Sequence, residues 1–174
     1  MTTQTTAWTV APEPVGSPDA AALWRAYYTE VSDRWYLLHE GRRTDPDELE
    51  REIAAGAEGG LTPPGGRLLV ARHGGVPAGT AGVRRTADPA VAELTRVFVR
   101  PELRGRGGAA LLVAAAEDTA RALGARRLVL DTRGDLREAR ALYARLGYAE
   151  TPPHNDEPYA EHWFAKDLVG PAAT

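Results

Sequence analysis

Cysteine is absent from all 174 residues. Disulfides, thiolate-bound metals and a cysteine nucleophile are excluded together. Lysine is nearly absent: of 21 basic residues only Lys166 is one, which reads as coding bias. No apolar run approaches the roughly 20 residues that cross a bilayer. Residues 1–15 lack the basic start and apolar centre of a signal peptide. No membrane partner is expected, and the cytoplasm is the expected location. Positive charge is not in excess either. The formal net charge is −3, which argues against general nucleic-acid binding.

What is there suits a globular protein, with 43% hydrophobic and 26% charged residues. The length predicts one domain over 1–174, with 1–6 and 169–174 expected to be flexible. A first strand is predicted over 7–15. A helix follows over 17–36, with Ser17 as cap and Pro18 at its first position. A second helix spans 44–60, capped by Thr44 or Asp45, opened by Pro46 and weakened by Gly56. Strands follow at 67–72, 76–85 and 91–99, joined by short turns. The next helix covers about 108–123, with Leu112, Ala115, Ala116, Thr119 and Leu123 on one stripe and Gly124 closing it. A strand at 126–132 precedes a helix at 136–146, where Asp135 and Glu138 have capping-box spacing and Gly147 is the stop. Strands at 148–150 and 161–168 complete the order β-α-α-β-β-β-α-β-α-β-β.

The segment "VRPELRGRGGAALL" joins the strand at 91–99 to the alanine-rich helix. A helix start leaves about four backbone N–H groups unpaired, and its dipole favours anions. Glycines let a diphosphate approach the backbone, and arginines pair with phosphate oxygens. Gly105, Arg106, Gly107, Gly108 and Ala109, with Arg104, therefore make a candidate pyrophosphate cradle. A mobile turn with solubilising arginines is the alternative. No Lys-Ser or Lys-Thr follows, so a Walker A loop is not indicated. A loose dinucleotide fingerprint runs from Gly105 to Ala110, with Asp131 as a ribose partner. Against it, "RPELR" separates strand from glycines, and the flanking strands form hairpins.

These residues resemble the acetyl-coenzyme A segment of the GCN5-related N-acetyltransferases (GNAT). The family signature [Q/R]-x-x-G-x-[G/A] reads here Arg104, Gly107, Ala109, after a strand ending Val99-Arg100-Pro101. "EARALYARLGYAE" is similar to the family's later A-x-x-L-Y-x-x-x-G-[FY]. The matching element order runs from Ala7 to about Leu168. The resemblance implies an α/β (α+β) fold. Its central sheet is mixed and mostly antiparallel, with about six to seven strands and about four flanking helices. It is splayed between the strand Val91–Val99 and the strand Arg127–Thr132.

The resemblance implies acetyl-coenzyme A as cofactor and an N-acetyltransferase acting on a small-molecule or peptide amine. Residues 104–109 would hold the pyrophosphate. The strand with Val97, Phe98 and Val99 would pair with pantetheine. Glu93, eleven residues before Arg104, is the candidate base, and Tyr143 the candidate acid beside the thioester sulfur. Glu93, Thr95, Val97 and Val99 share one face unless a bulge intervenes. Glu93 could instead pair with Arg96 or Arg84, and Tyr143 could be a core aromatic. Family members often carry an Asn seven residues before the helix Tyr; that position is Leu136. Trp35, Tyr36, Asp131, Thr132 and Tyr159 are the candidate acceptor-side residues, and no metal is expected. The alternatives are a non-catalytic acyl-coenzyme A sensor on the same fold and a dinucleotide enzyme. A monomer or homodimer is expected.

Overall fold

The computed structural model describes residues 7–169. The termini expected to be flexible lie outside the described residues, apart from exposed Val169. The elements are β1 (Trp8–Pro12), α1 (Pro18–Glu40), α2 (Pro46–Ala55), β2 (Gly66–His73), β3 (Val76–Arg85), β4 (Val91–Val99), α3 (Gly108–Ala122), β5 (Arg127–Thr132), α4 (Arg137–Arg145), β6 (Ala149–Thr151) and β7 (His162–Asp167). A single 3-10 turn, Pro101–Leu103, precedes the glycines. The seven strands form one sheet in the order β1-β2-β3-β4-β5-β7-β6. Only β4 and β5 run parallel. This is the mixed, splayed sheet that the sequence resemblance implies.

Local chemistry explains the ends. The Ser17 side chain accepts from the Ala20 N–H, and Pro18 starts α1. The helix runs past the expected end to Glu40, where left-handed Gly41 (φ 67°) stops it. Asp45 rather than Thr44 caps α2, accepting from Asp47 and Glu48. The capping box expected at α4 is not made, since Leu136 holds the cap position without a side-chain bond. Asp135 is drawn instead to Arg133 at 2.9 and 3.0 Å, and Glu138 to Arg34. Guanidinium partners outcompete the helix N–H groups for these carboxylates.

Alternation on the central strands builds two cores. Leu69, Ala71, Ala81, Val83, Ala92 and Leu94 face α3, while Leu68, Val70 and Phe98 face α1. The buried stripe of α3 is Leu112, Val113, Ala116, Glu117 and Ala120, rotated from the predicted one. Glu117 explains the rotation. Its buried carboxylate takes the Tyr148 hydroxyl at 3.0 Å and the Lys166 ammonium at 3.1 Å. A buried carboxylate needs such partners. The one lysine thus has a structural place after all. No helix among the described residues is long and apolar enough to cross a membrane.

The feature that shapes the site lies on β4. Gly82 pairs with Thr95 and Thr80 with Phe98, so β4 carries one extra residue there. Arg96 takes a left-handed conformation (φ 55°) at this bulge. The bulge reverses the facing order beyond Thr95. Phe98 points to α1, whereas Val97 and Val99 pack toward α3. The single face expected for Glu93, Thr95, Val97 and Val99 is therefore corrected.

Leu112 is 0% exposed, and its side chain fills the space a Cβ would need at Gly79 on β3. Leu112→Ala should cost about 2–5 kcal/mol by urea unfolding. A loss under about 1 kcal/mol would contradict a close-packed seat for α3.

Candidate active-site cleft

β4 and β5 are paired only at Val91, Ala92 and Glu93 with Arg127, Leu128 and Val129. Beyond that the strands part. Right-handed sheet twist, increased by a bulge, drives neighbouring strands away from each other. A cavity of about 420 Å3 fills the gap. Every residue expected at the cofactor and catalytic positions lines it except Arg106. The edge of β4 facing this gap has no strand partner after Glu93. Its backbone groups, apart from the Val99 carbonyl, are open to pairing with an extended ligand.

At one end of the gap stands the N-terminus of α3. Gly107 holds the cap position (φ 85°) with no side-chain bond, and no acidic residue occupies the first turn. Gly105 (φ 77°) and Gly107 adopt left-handed conformations, with open space where a Cβ would sit. The first-turn N–H groups are thus left for an anion. Arg104 reaches across the cleft. Its Nε donates to the Val99 carbonyl at 2.8 Å, and its Nη2 pairs with Glu30 of α1 at 2.7 Å.

Trp8 on β1 braces this loop from behind, which no sequence motif announced. Its indole N–H donates to the Arg106 carbonyl at 3.0 Å. In a trans peptide the C=O and the following N–H point in opposite directions. The Gly107 N–H therefore points away from the indole, and Gly107 lines the cleft. The His73 ring backs Trp8 edge-on at 4.8 Å. Gly108 lies under the same indole, and a Cβ there would sit 2.3 Å from it. Tryptophan packing by itself excludes a side chain there, and the same glycine lines the cleft. Arg106 is exposed and outside the cavity wall, so its expected phosphate role is not reflected in its placement.

Tyr143 from α4 and Glu93 from β4 enter the same cavity. Tyr143 is 6% exposed and packs against Tyr148 and Phe164. It is a core aromatic that also lines the cleft. Its hydroxyl has no hydrogen-bond partner among the described residues. Burial pushes its phenol well above the usual range, with Tyr27 and Asp131 adding to the rise. Glu93 accepts from Arg84 through Oε1 at 2.6 Å. The sequence alternative of a paired Glu93 is thus present together with its position on the cleft wall. Arg96 takes a different path. It is 8% exposed, stacks on Trp24 at 3.8 Å and donates to the Gly56 and Ala57 carbonyls. Burial lowers its guanidinium from the ordinary value to about 10.

A second cavity of about 490 Å3 adjoins the first. The two share the wall formed by Tyr27, Thr95, Arg96, Asp131, Thr132 and Leu136. All five expected acceptor residues line the second cavity. Asp131 is set by Asn155, whose amide donates to its carboxylate at 2.7 Å. The Trp163 indole donates to the other side of Asn155 at 2.9 Å and fixes its orientation. Tyr36 donates to Glu48, which raises its phenol to about 12. Leu136, where relatives of the motif often have Asn, presents an apolar side chain at the junction.

Such a gap suits a protein that brings a phosphate-bearing ligand against a second small molecule. Comparison with known proteins sharpens this. The sequence profile of the acetyltransferase (GNAT) family matches residues 22–148. An N-acetyltransferase of Schizosaccharomyces pombe is 37% identical over 97 residues, 55% of this chain and 60% of the relative. The matches span only 52–61% of the length of the curated relatives. A GNAT-family acetyltransferase from Staphylococcus aureus superposes with a TM-score of 0.72 at 15% identity, covering 94% of this chain and 100% of that one. The PaiA N-acetyltransferase from Thermoplasma acidophilum, solved with coenzyme A, gives 0.69 at 13% identity, covering 92% and 99%. The two structures share the fold. The chain belongs to the acetyltransferase (GNAT) family.

The indole and Gly108 form a pair that a double-mutant cycle can read. Gly108→Ala should destabilise the protein by about 1–3 kcal/mol in urea unfolding. In a Trp8→Ala background the same change should cost markedly less. Equal costs in both backgrounds would show that the two are not coupled.

Proposed function

We propose that the protein is a cytoplasmic enzyme that transfers an acetyl group from acetyl-coenzyme A to a primary amine by direct attack in a ternary complex. The observation that carries this reading is the shared wall of the two cavities. One cavity ends in an uncapped helix N-terminus, and the other meets it along lining residues that the two have in common, Thr95, Arg96, Asp131 and Thr132 among them. The residues fit the cofactor. Gly105 and Gly107 leave the space a Cβ would fill, α3 offers free N–H groups, and β4 offers an unpaired edge for an extended arm. When bound, the cofactor supplies the thioester whose carbonyl carbon the amine attacks.

The rest falls to the chain. Alkyl ammonium groups have a pKa near 10 and must lose a proton before attack. Glu93 keeps Oε2 outside its bond to Arg84 and can take that proton, directly or through a water molecule. Tyr143 is protonated at neutral pH, as any phenol with a pKa of about 10 or above is, and it can hand that proton to the departing sulfur. Backbone N–H groups at the bulge near Arg96 and Val97 can stabilise developing negative charge on the carbonyl oxygen. Fixing both reactants at one wall supplies much of the rate. A non-catalytic acyl-coenzyme A sensor draws support from one feature, the Arg84 ion pair on Glu93. Tight coenzyme A binding with no thiol release across a broad amine panel would select it.

Arg104→Glu should weaken coenzyme A binding about 10–100-fold by calorimetry. Tyr143→Phe should lower kcat by about 10²-fold while the KM for acetyl-coenzyme A changes little. Absence of any coenzyme A binding by the unmodified protein would overturn the reading.

A further inference from the structure

The second cavity has walls of a particular kind. Trp24, Tyr28 and Trp35 of α1 line it from one side and Tyr159 from the other. They form connected rings: Trp24 lies 5.4 Å from Tyr28, and Trp35 lies 5.7 Å from Tyr159. The helix spacing explains this, since positions 24, 28 and 35 fall on one face over three turns. A volume of about 490 Å3 is of small-molecule size. Tyr159 is 60% exposed. A large aromatic side chain held at a cavity mouth with most of its surface uncovered has apolar area left for a ligand to bury.

The charges in the wall are unequal. Arg84 and Arg133 are each neutralised, by Glu93 and Asp135. The Arg96 donors are engaged by two carbonyls, and its face by Trp24. Glu52, Glu157 and Asp131 make no ion pair among the described residues, and Glu48 is held only by a phenol. Of these carboxylates Asp131 alone lies on the wall shared with the cofactor cavity, and Asn155 and Trp163 hold it in place. An ammonium group placed there would sit beside the reacting carbonyl. Its carbon skeleton would extend among the rings, where cation–π and apolar contacts both favour it.

We infer that the acceptor is a small primary amine carried on an aromatic body and lacking a carboxylate, with its ammonium docked on Asp131. This rests on the acetyl-transfer reading above. Asp131 and Tyr159 act as specificity-determining residues. The carboxylates of the wall repel an anionic acceptor, and the rings give little to a slender polyamine.

The test titrates the protein with coenzyme A and, separately, with 2-phenylethylamine, spermidine and glutamate. It then measures thiol release from acetyl-coenzyme A with each amine. 2-Phenylethylamine should bind, and turn over by kcat/KM, at least about tenfold better than the other two. Tyr159→Ala should raise its KM about tenfold while the KM for acetyl-coenzyme A holds. Asp131→Asn should lower kcat/KM for the amine and leave coenzyme A binding intact. A preference for spermidine or glutamate in the binding titrations or in turnover overturns the inference, as does an unchanged amine KM in Tyr159→Ala. Loss of coenzyme A binding in the unmodified protein sinks the transfer reading instead, and the amine titrations still rank the three ligands.

Discussion

The extra residue at Arg96 is the constraint on which the cleft depends. A non-glycine residue in the left-handed region costs about 1–2 kcal/mol. Three contacts offset it. The buried Thr80 hydroxyl donates to the Arg96 carbonyl at 2.8 Å. The guanidinium donates to the carbonyls after α2, and its plane lies on Trp24. The bulge is thereby tied both to its partner strand and to the helix layer. It turns Phe98 into the α1 core and Val97 toward α3, and it lies just past Glu93, where pairing with β5 ends. Glu93 closes the part of β4 that pairs with β5, and the edge facing the gap has no strand partner from Leu94 on. The bulge lies within that stretch and sets which of its side chains turn to each helix layer.

The glycine loop is held from two sides. Trp8 grips the Arg106 carbonyl and lies on Gly108, while Arg104 is fastened to Val99 and Glu30. A loop with two left-handed glycines would otherwise have a large choice of conformations. Pinning one carbonyl orients the next N–H, so rigidity comes from outside the motif. The edge strand β1 and the His73 ring behind it have a functional consequence even though they lie on the far side of the loop from the cleft.

Much of this was legible in the sequence. Ser17-Pro18 and Asp45-Pro46 mark helix starts because cap and ring chemistry act locally. The strand order and the splay followed from the resemblance carried by Arg104, Gly107, Ala109 and the helix around Tyr143. What was not legible depends on partners distant in sequence. The capping box at Asp135 and Glu138 failed because Arg34, about a hundred residues earlier, lies against that helix start. The packing of Trp8 on Gly108 was not legible for the same reason, since Trp8 lies 98 residues away from the Arg106 carbonyl it holds. The position of the bulge was open because alternation alone does not reveal an inserted residue. The hold of Asn155 on Asp131 needed the β6–β7 connection to fold back over β5.

The two cavities present different charged and polar groups. The overall charge is −3, yet the α3 end of the first cavity presents free N–H groups and no acidic residue in its first turn. The second cavity has carboxylates without ion-pair partners and guanidinium groups already engaged. An anionic cofactor and a cationic acceptor would each be favoured in one compartment and disfavoured in the other. The shared wall is where the two fields meet. Burial raises the Tyr143 phenol, and Tyr27 and then Asp131 on that wall add to the rise. The carboxylate that would hold an ammonium therefore stands beside the group that would protonate a departing thiolate, and it lines the wall because β5 has parted from β4 just before it.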